Sequence, residues 1–452
     1  MAFERDSLAL VGEALDRLAE GFRGLPEDPA AGVGADVDVP AMREVLLEAA
    51  TRMQDNFPYH HPLYAGQMLK PPHPVARAAY ALSLWLNPNN HALDGGRASS
   101  AMEKEVVRDL AAMCGLAEHL GHLTGGGTMA NLEALHVNGS ERPGRAVLAS
   151  EHAHYTHARL CAVLGIPFRT VPADRAGRMD AALLERELGT GDVGVVVCTL
   201  GTTSIGAVDP LADIARLRDR FGFRLHVDAA YGGYFTLADS LRASTRAHFD
   251  ALSLADSLAI DPHKHGLQPY GCGCVLFRDP AMGAHYTHDS PYTYFSSPDL
   301  HLGEISLECS RPGAAAVALW ATHRMLPLAR GGDFATGLDL GRRAALDLHT
   351  RLAADPRFHV LDPPELDIVV WAARGPTASA SSRRARAIFD AAAKIDLHLA
   401  LARLPRAMWE GRAELAWDEA ELTCLRSCLM RPAHASWIDA IFERLSRATD
   451  AG

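Results

Sequence analysis

No apolar run in the 452 residues approaches the length of a membrane span. The start, MAFERDSLALVGEALDRL, carries acids within its first apolar stretch, so no secretory leader is read there and a cytoplasmic location is the expectation. Cysteine is sparse: eight residues, including Cys161, Cys198 and Cys309 in core-like segments, fall in no disulfide-framework spacing, which predicts reduced, buried thiols. Clustered basic charge is also missing. A net charge of -11 argues against a nucleic-acid or anionic-membrane partner, because both need grouped Lys and Arg. Repeats and low-complexity tracts are absent apart from a short SSRRARA run, which reads as a solvated helix start. What is present is ordinary globular composition, 48% hydrophobic and 22% charged, in a chain long enough for two domains.

Residues 1–60 read as an N-terminal helical arm. An amphipathic helix (SLALVGEALDRLAEGF) is followed by a Pro/Gly/Asp-rich linker and a second helix from Pro40. Such an arm rarely folds alone, so it should pack elsewhere on the molecule or on a partner subunit. Residues 61–330 read as a large domain. Between about 120 and 280, the strand-like runs AVLAS, DVGVVVCTL, FRLHVDAA, ALSLADSLAI and CGCVLF alternate with the helical NLEALHVN, HARLCAVLG and LADIARLRDRFG. That alternation predicts an α/β fold, a mostly parallel sheet covered on both faces, with ligands at the carboxyl ends of its strands. Long helices then lead to a smaller α+β domain over 331–452. It has a strand pair around FHVLDPPELDIVVWAA, a helix around RARAIFDAAAKI and a closing helix from Ala435.

Three segments carry chemistry. In LTGGGTMANLEALHVN a glycine turn opens a helix, so backbone N–H groups and the positive helix end converge near Gly127 and Thr128, where a phosphate could sit. No Gly-Lys-Thr follows, so this is not a Walker loop, and the spacing is not the dinucleotide fingerprint. In FRLHVDAAYGGYF a strand ends on Asp228, whose carboxylate needs a partner if buried; a protonated ring nitrogen is one. In SLADSLAIDPHKHG, Lys264 follows an apolar strand, a setting in which a lysine is either paired or used as a nucleophile. Together they describe a pyridoxal phosphate site, with the phosphate on the helix end, the pyridinium nitrogen on Asp228 and the aldehyde in Schiff-base linkage to Lys264.

The segments HPLYAGQ, LNPNNHALDGGRASSAMEKEV, TGGGTMANLEAL, SEHAHYTHAR, TLGTTSIGAVDP, HVDAAYGG, DPHKHG and SLECSRPGAAAVALW together resemble the group II pyridoxal-dependent amino-acid decarboxylases. The resemblance runs from roughly residue 55 to 330. It implies the fold-type I architecture, a seven-stranded-type sheet and a homodimer with shared active sites. It also implies that His154 stacks on the cofactor ring, that Ala230 packs under it, and that Thr202 and Thr203 contact the cofactor. Ser257 and His263 would lie around the phosphate and the lysine linkage, and the turn from Ser310 to Gly313 would reach the neighbouring subunit's phosphate. His61, Tyr64 and Gln67 would line the substrate pocket. In the segment HYTHDSPYTYFSS, the resemblance makes Tyr292, with Tyr294 as competitor, the donor that protonates the substrate carbon after CO2 leaves. Asp261 departs from the Asn of many relatives and is left out of the phosphate set, on the expectation that it faces elsewhere.

The activity expected is therefore decarboxylation of an aromatic or medium-sized L-amino acid to the amine. Carbon–carbon cleavage of the sphingosine-phosphate lyase type, and decarboxylation with oxidative deamination to an aldehyde, are the alternatives within the same chemistry. A metal site built from His152, His154, His157, His263, His265, Cys272 and Cys274 is the alternative outside it, and the expectation is that no metal is held. His265 has no assigned role.

Overall fold

Seven strands of the large sheet account for most of the apolar runs between residues 120 and 280. They are β1 (Leu120–Thr124), β2 (Ala146–Ser150), β3 (Phe168–Val171), β4 (Val193–Thr199), β5 (Arg224–Asp228), β6 (Ser257–Ile260) and β7 (Gly273–Phe277), in spatial order β1-β7-β6-β5-β4-β2-β3. The structure is a computed structural model, and it describes residues 6–26, 38–286 and 300–451. Strands β2 to β6 pair in parallel, whereas β7 runs antiparallel to both β6 and β1. The interior strand β4, VGVVVCT, is buried along its length, as a strand covered on both faces must be.

The helices that precede and cross over the sheet are α1 (Asp6–Glu20), α2 (Val39–Met53), α3 (Pro74–Ser83), α4 (Leu93–Met113), α5 (Gly127–Ser140), α6 (Thr156–Leu164), α7 (Ala181–Leu188), α8 (Leu211–Phe221) and α9 (Ala243–Asp250). Alternate residues of each strand feed opposite faces. On one face Val196, Cys198, Leu225 and Val227 pack with Leu110 of α4, Leu184 of α7 and Ile214 of α8. On the other, Val147, Val195 and Val197 pack with Leu135 of α5 and with Leu160 and Cys161 of α6.

After α10 (Ala314–Met325) and α11 (Asp333–Ala354) comes the second sheet: β8 (Phe358–Val360), β9 (Ile368–Ala373), β10 (Ala400–Pro405) and β11 (Glu421–Cys428), all antiparallel in the order β10-β11-β9-β8. Its core joins Trp371 and Leu425 to Leu348 of α11, Ile388 of α12 (Ala378–Ala393), and Ile441 and Leu445 of α13 (Ile438–Ala451). Leu63 and Ala65 belong to this same core, and backbone hydrogen bonds tie them to His398 and Cys428.

Two sequence expectations are modified. ALSLADSLAI is not one strand: Leu252–Leu254 forms a single tight turn, and pairing starts only at Ser257, after Asp256 has accepted the Leu225 N–H at 2.8 Å. Seven of the eight cysteines are buried, but Cys309 is exposed. The arm forms two helices, yet α1 buries only Val11 and α2 buries nothing, leaving Val45, Leu46 and Leu47 open to solvent. Among the described residues no helix is long and apolar enough to cross a membrane.

Candidate active site

The carboxyl ends of three adjacent parallel strands and the starts of two helices surround a cavity of about 550 Å³. Thr199 and Gly201 come from the end of β4, Asp228 and Ala230 from β5, and Asp261, His263 and Lys264 from the turn after β6. Gly127 and Thr128 open α5, and His154 and Thr156 stand at the entry to α6. This is where an open α/β sheet exposes backbone ends and helix starts to a ligand.

Asp228 is buried, and its Oδ2 lies 2.9 Å from His157 Nε2 while Oδ1 accepts the Ala230 N–H at 3.1 Å. Burial alone would push this carboxyl up, but the His157 hydrogen bond and the charges of His157 and Lys264 hold it well below the usual carboxylate range. The group is an anion that water does not solvate. It can keep a proton on a ring nitrogen brought against it.

Lys264 Nζ lies 3.0 Å from Asp261 Oδ2, so the amine stands in an ion pair rather than in an apolar slot. Helix α5 begins at Gly127 with no side-chain cap, which leaves its first-turn N–H groups to whatever enters the cavity. The turn suits glycine: Gly126 has a φ of 147°, a backbone conformation that L side chains rarely adopt, and Asp261 Oδ2 lies 2.7 Å from where a Cβ on Gly127 would stand. His154 lines the same space, and burial lowers its pKa, favouring a neutral, flat imidazole. His263 is likewise lowered by burial, and its Nδ1 lies 2.8 Å from the Cys272 carbonyl oxygen.

One cavity thus brings together an amine, a buried anion, a free helix start and a flat imidazole. That donor set fits pyridoxal phosphate: Lys264 for the aldehyde, Asp228 for the ring nitrogen, and the first turn of α5 for the phosphate.

Residues 131–374 match the family described as the pyridoxal-dependent decarboxylase conserved domain. The chain belongs to that family. Among its relatives, the L-2,4-diaminobutyrate decarboxylase of Rhizobium meliloti is 32% identical over 397 residues, covering 79% of this chain and 74% of that one. The L-tyrosine decarboxylase of Enterococcus faecium is 30% identical over 389 residues, and the match spans 64% of each chain. The crystal structure of mouse CSAD superposes with a TM-score of 0.79 at 22% identity, covering 97% of this chain and 91% of that one. Oryza sativa TDC with PLP and tryptamine gives 0.79 at 19% identity, covering 100% and 99%. Both likenesses establish the fold-type I architecture, and pyridoxal phosphate is the cofactor of the decarboxylase family.

Several expected site residues of this decarboxylase lie away from the cavity. Ser257 sits at the entry end of β6, a strand length from Lys264, where its Oγ is taken by Asn138 Nδ2 at 2.7 Å and His226 Nδ1 at 2.8 Å. Thr203 lines the cavity, whereas the Thr202 hydroxyl is turned away to accept the Ala207 N–H at 3.0 Å. Ser310 accepts from Asn89 Nδ2 at 3.2 Å and does not line the cavity of its own chain. His61, Tyr64 and Gln67 do not line it either. Their segment is stitched to the second sheet: His61 packs on Trp437 at 4.8 Å, Tyr64 bridges to His398, and Gln67 is exposed. Tyr292 and Tyr294 lie outside the described residues. Asp261, expected to face elsewhere, faces into the cavity.

Among the residues that sequence reasoning did not assign to the site are Asp261 and Glu308, which line the cavity, and His157, which holds Asp228. Glu308 Oε2 accepts the Gly125 N–H at 3.1 Å and lines the cavity. The His-x-x-His spacing of AHYTHAR was the available signal for His157, since it places both rings on one side of a helix start. His265 is on the other side of the lysine segment, between Tyr231 at 4.8 Å and Phe235 at 5.0 Å, where burial depresses its pKa strongly. Among the described residues no group of three or more His, Cys, Asp or Glu side chains could hold a metal ion.

Proposed function

We propose that this decarboxylase removes CO2 from an L-amino acid with an aromatic or medium-sized side chain that carries no carboxylate, releasing the amine. The observation that carries the reading is the single cavity joining Lys264, the His157-held Asp228 and the open start of α5. Apart from Lys264, no Lys or Arg is among the described residues lining it, whereas Asp228, Asp261 and Glu308 are. An acidic side chain would meet like charge there, which supports substrates of the tyrosine or diaminobutyrate kind over aspartate or cysteine sulfinate. A second phosphate on the substrate would need further cations, so the same count weighs against carbon–carbon cleavage of a phosphorylated substrate.

Bound pyridoxal phosphate supplies an electron sink for the breaking bond. Lys264 would hold the aldehyde carbon and later release the amine. Asp228 would keep the ring nitrogen protonated, and His154 and Ala230 would confine the ring faces. Tyr292, or Tyr294, would return the proton to Cα, and Ser310 would serve the neighbouring subunit of a homodimer. Incubating the purified protein with each of the twenty L-amino acids, ornithine, diaminobutyrate and cysteine sulfinate, and measuring CO2, tests the substrate class. The expected result is release from tyrosine-like or diaminobutyrate-like substrates. Release from aspartate or cysteine sulfinate alone would refute the charge argument. Borohydride treatment should fix the cofactor on Lys264, and a label on another residue would refute the lysine assignment.

A further inference from the structure

Asp261 puts a carboxylate into the part of the cavity otherwise best suited to a phosphate. Its side chain is 4% exposed, and Oδ2 lies 3.0 Å from Lys264 Nζ and 3.6 Å from His263 Nε2. The same carboxylate lies against the first turn of α5, since a Cβ on Gly127 would come within 2.7 Å of Oδ2 and 3.0 Å of Oδ1. Oδ1 is buried without a hydrogen-bond partner. A helix start attracts a carboxylate and a phosphate for the same reason, and two anions at one helix start repel each other. The cavity offers little to offset that repulsion: Lys264 is already paired with Asp261, and Asp228 and Glu308 add negative charge. His263 Nδ1 meets the Cys272 carbonyl, the contact that a ring carrying its proton on Nδ1 would make, which leaves Nε2 toward Asp261 as an acceptor.

We propose that Asp261 is a built-in occupant of the phosphate seat. In the cofactor-free chain its carboxylate answers the charge of Lys264 and of the α5 start. Pyridoxal phosphate must displace it from both, so the phosphorylated cofactor is held less tightly than the fold would allow and stays exchangeable. The inference rests on the pyridoxal reading of the cavity and adds to it a residue that works against retention.

The test compares wild type with Asp261→Asn and Asp261→Ser, each freed of cofactor and checked for fold by circular dichroism. Each is titrated with pyridoxal 5′-phosphate and with pyridoxal, which has the same ring and aldehyde and no phosphate, and binding is followed by tryptophan fluorescence. Freeing Lys264 can tighten both ligands, so the ratio of the two dissociation constants is the readout. The expected result is that preference for the phosphorylated ligand rises about tenfold in Asp261→Asn, about 1.4 kcal/mol, and in the same direction in Asp261→Ser. An unchanged or reduced preference in the variants overturns the inference while leaving the pyridoxal reading standing. If wild type binds neither ligand, the pyridoxal reading fails and the inference falls with it.

Discussion

At the scale of single residues, Asp228 depends on His157 more than on solvent. A charged hydrogen bond of this kind contributes roughly 1.5–3 kcal/mol, and His157 is buried with Nε2 on the carboxylate. His157→Leu is therefore expected to lower kcat by roughly 10–100-fold. His157→Gln, which keeps an N–H donor, should recover most of the loss. Equal rates in His157→Leu and wild type would sink this assignment. A second buried acid gives a pH signature. Asp367 accepts the Tyr231 hydroxyl at 2.5 Å, and burial, partly offset by that bond and by Lys70, raises its pKa to about 6. An unfolded aspartate titrates near 3.9. Between about pH 4 and 6 the folded chain thus keeps a proton that the unfolded chain has lost, so stability falls as pH rises through that window. Asp367→Asn keeps an oxygen for Tyr231 and removes the titration. In urea unfolding the variant should lose less stability than wild type between pH 4 and 6, by on the order of 2 kcal/mol in total, and an equal loss in both would contradict the assignment.

At the scale of elements, the glycine turn before α5 is shaped by its neighbour strand. A Cβ on Gly273 of β7 would lie 2.6 Å from Gly126 Cα and carbonyl carbon, and backbone cannot rotate aside. Gly273→Ala should destabilise the fold by roughly 1–3 kcal/mol and weaken cofactor retention, readable as a lower melting temperature with and without pyridoxal phosphate; an unshifted melting temperature would show that the turn can give. Which elements the sequence reveals follows from their surroundings. Strands β2 and β4 are continuous apolar runs, because both faces are covered, and their residues are legible directly. β1 is not: LGHLT buries a histidine, whose Nε2 meets Glu133 at 2.8 Å inside the core, a pairing that no local pattern shows. β3 is at the sheet edge and half-exposed, and β10 places exposed residues between buried ones, so neither has a strong apolar signature. The site divides in the same way. Lys264, Asp228 and Gly127 stand at strand ends and a helix start, where local pattern fixes position. Ser257 was misplaced because its strand carries it away from the cavity, and the inward turn of Asp261 depends on α5, which is more than a hundred residues distant in sequence.

At the scale of the whole molecule, the arm is the part of the chain least accounted for by its own contacts. Helix α1 lies against α3, but α2 presents Met42, Val45, Leu46 and Leu47 without cover. A second copy of the chain is the occupant that the shared-site reading requires, and mixing two inactive proteins tests it. Lys264→Ala and Tyr292→Phe, each inactive alone, should regain activity when unfolded and refolded together, because a mixed pair assembles one intact site. No recovery would place Tyr292 and Lys264 in the same subunit's site. The bare face of α2 also couples stability to mass action. If its cover is another copy, the melting temperature should climb with protein concentration, and activity per chain should fall at low concentration. Dilution would then act on this protein as a mild denaturant.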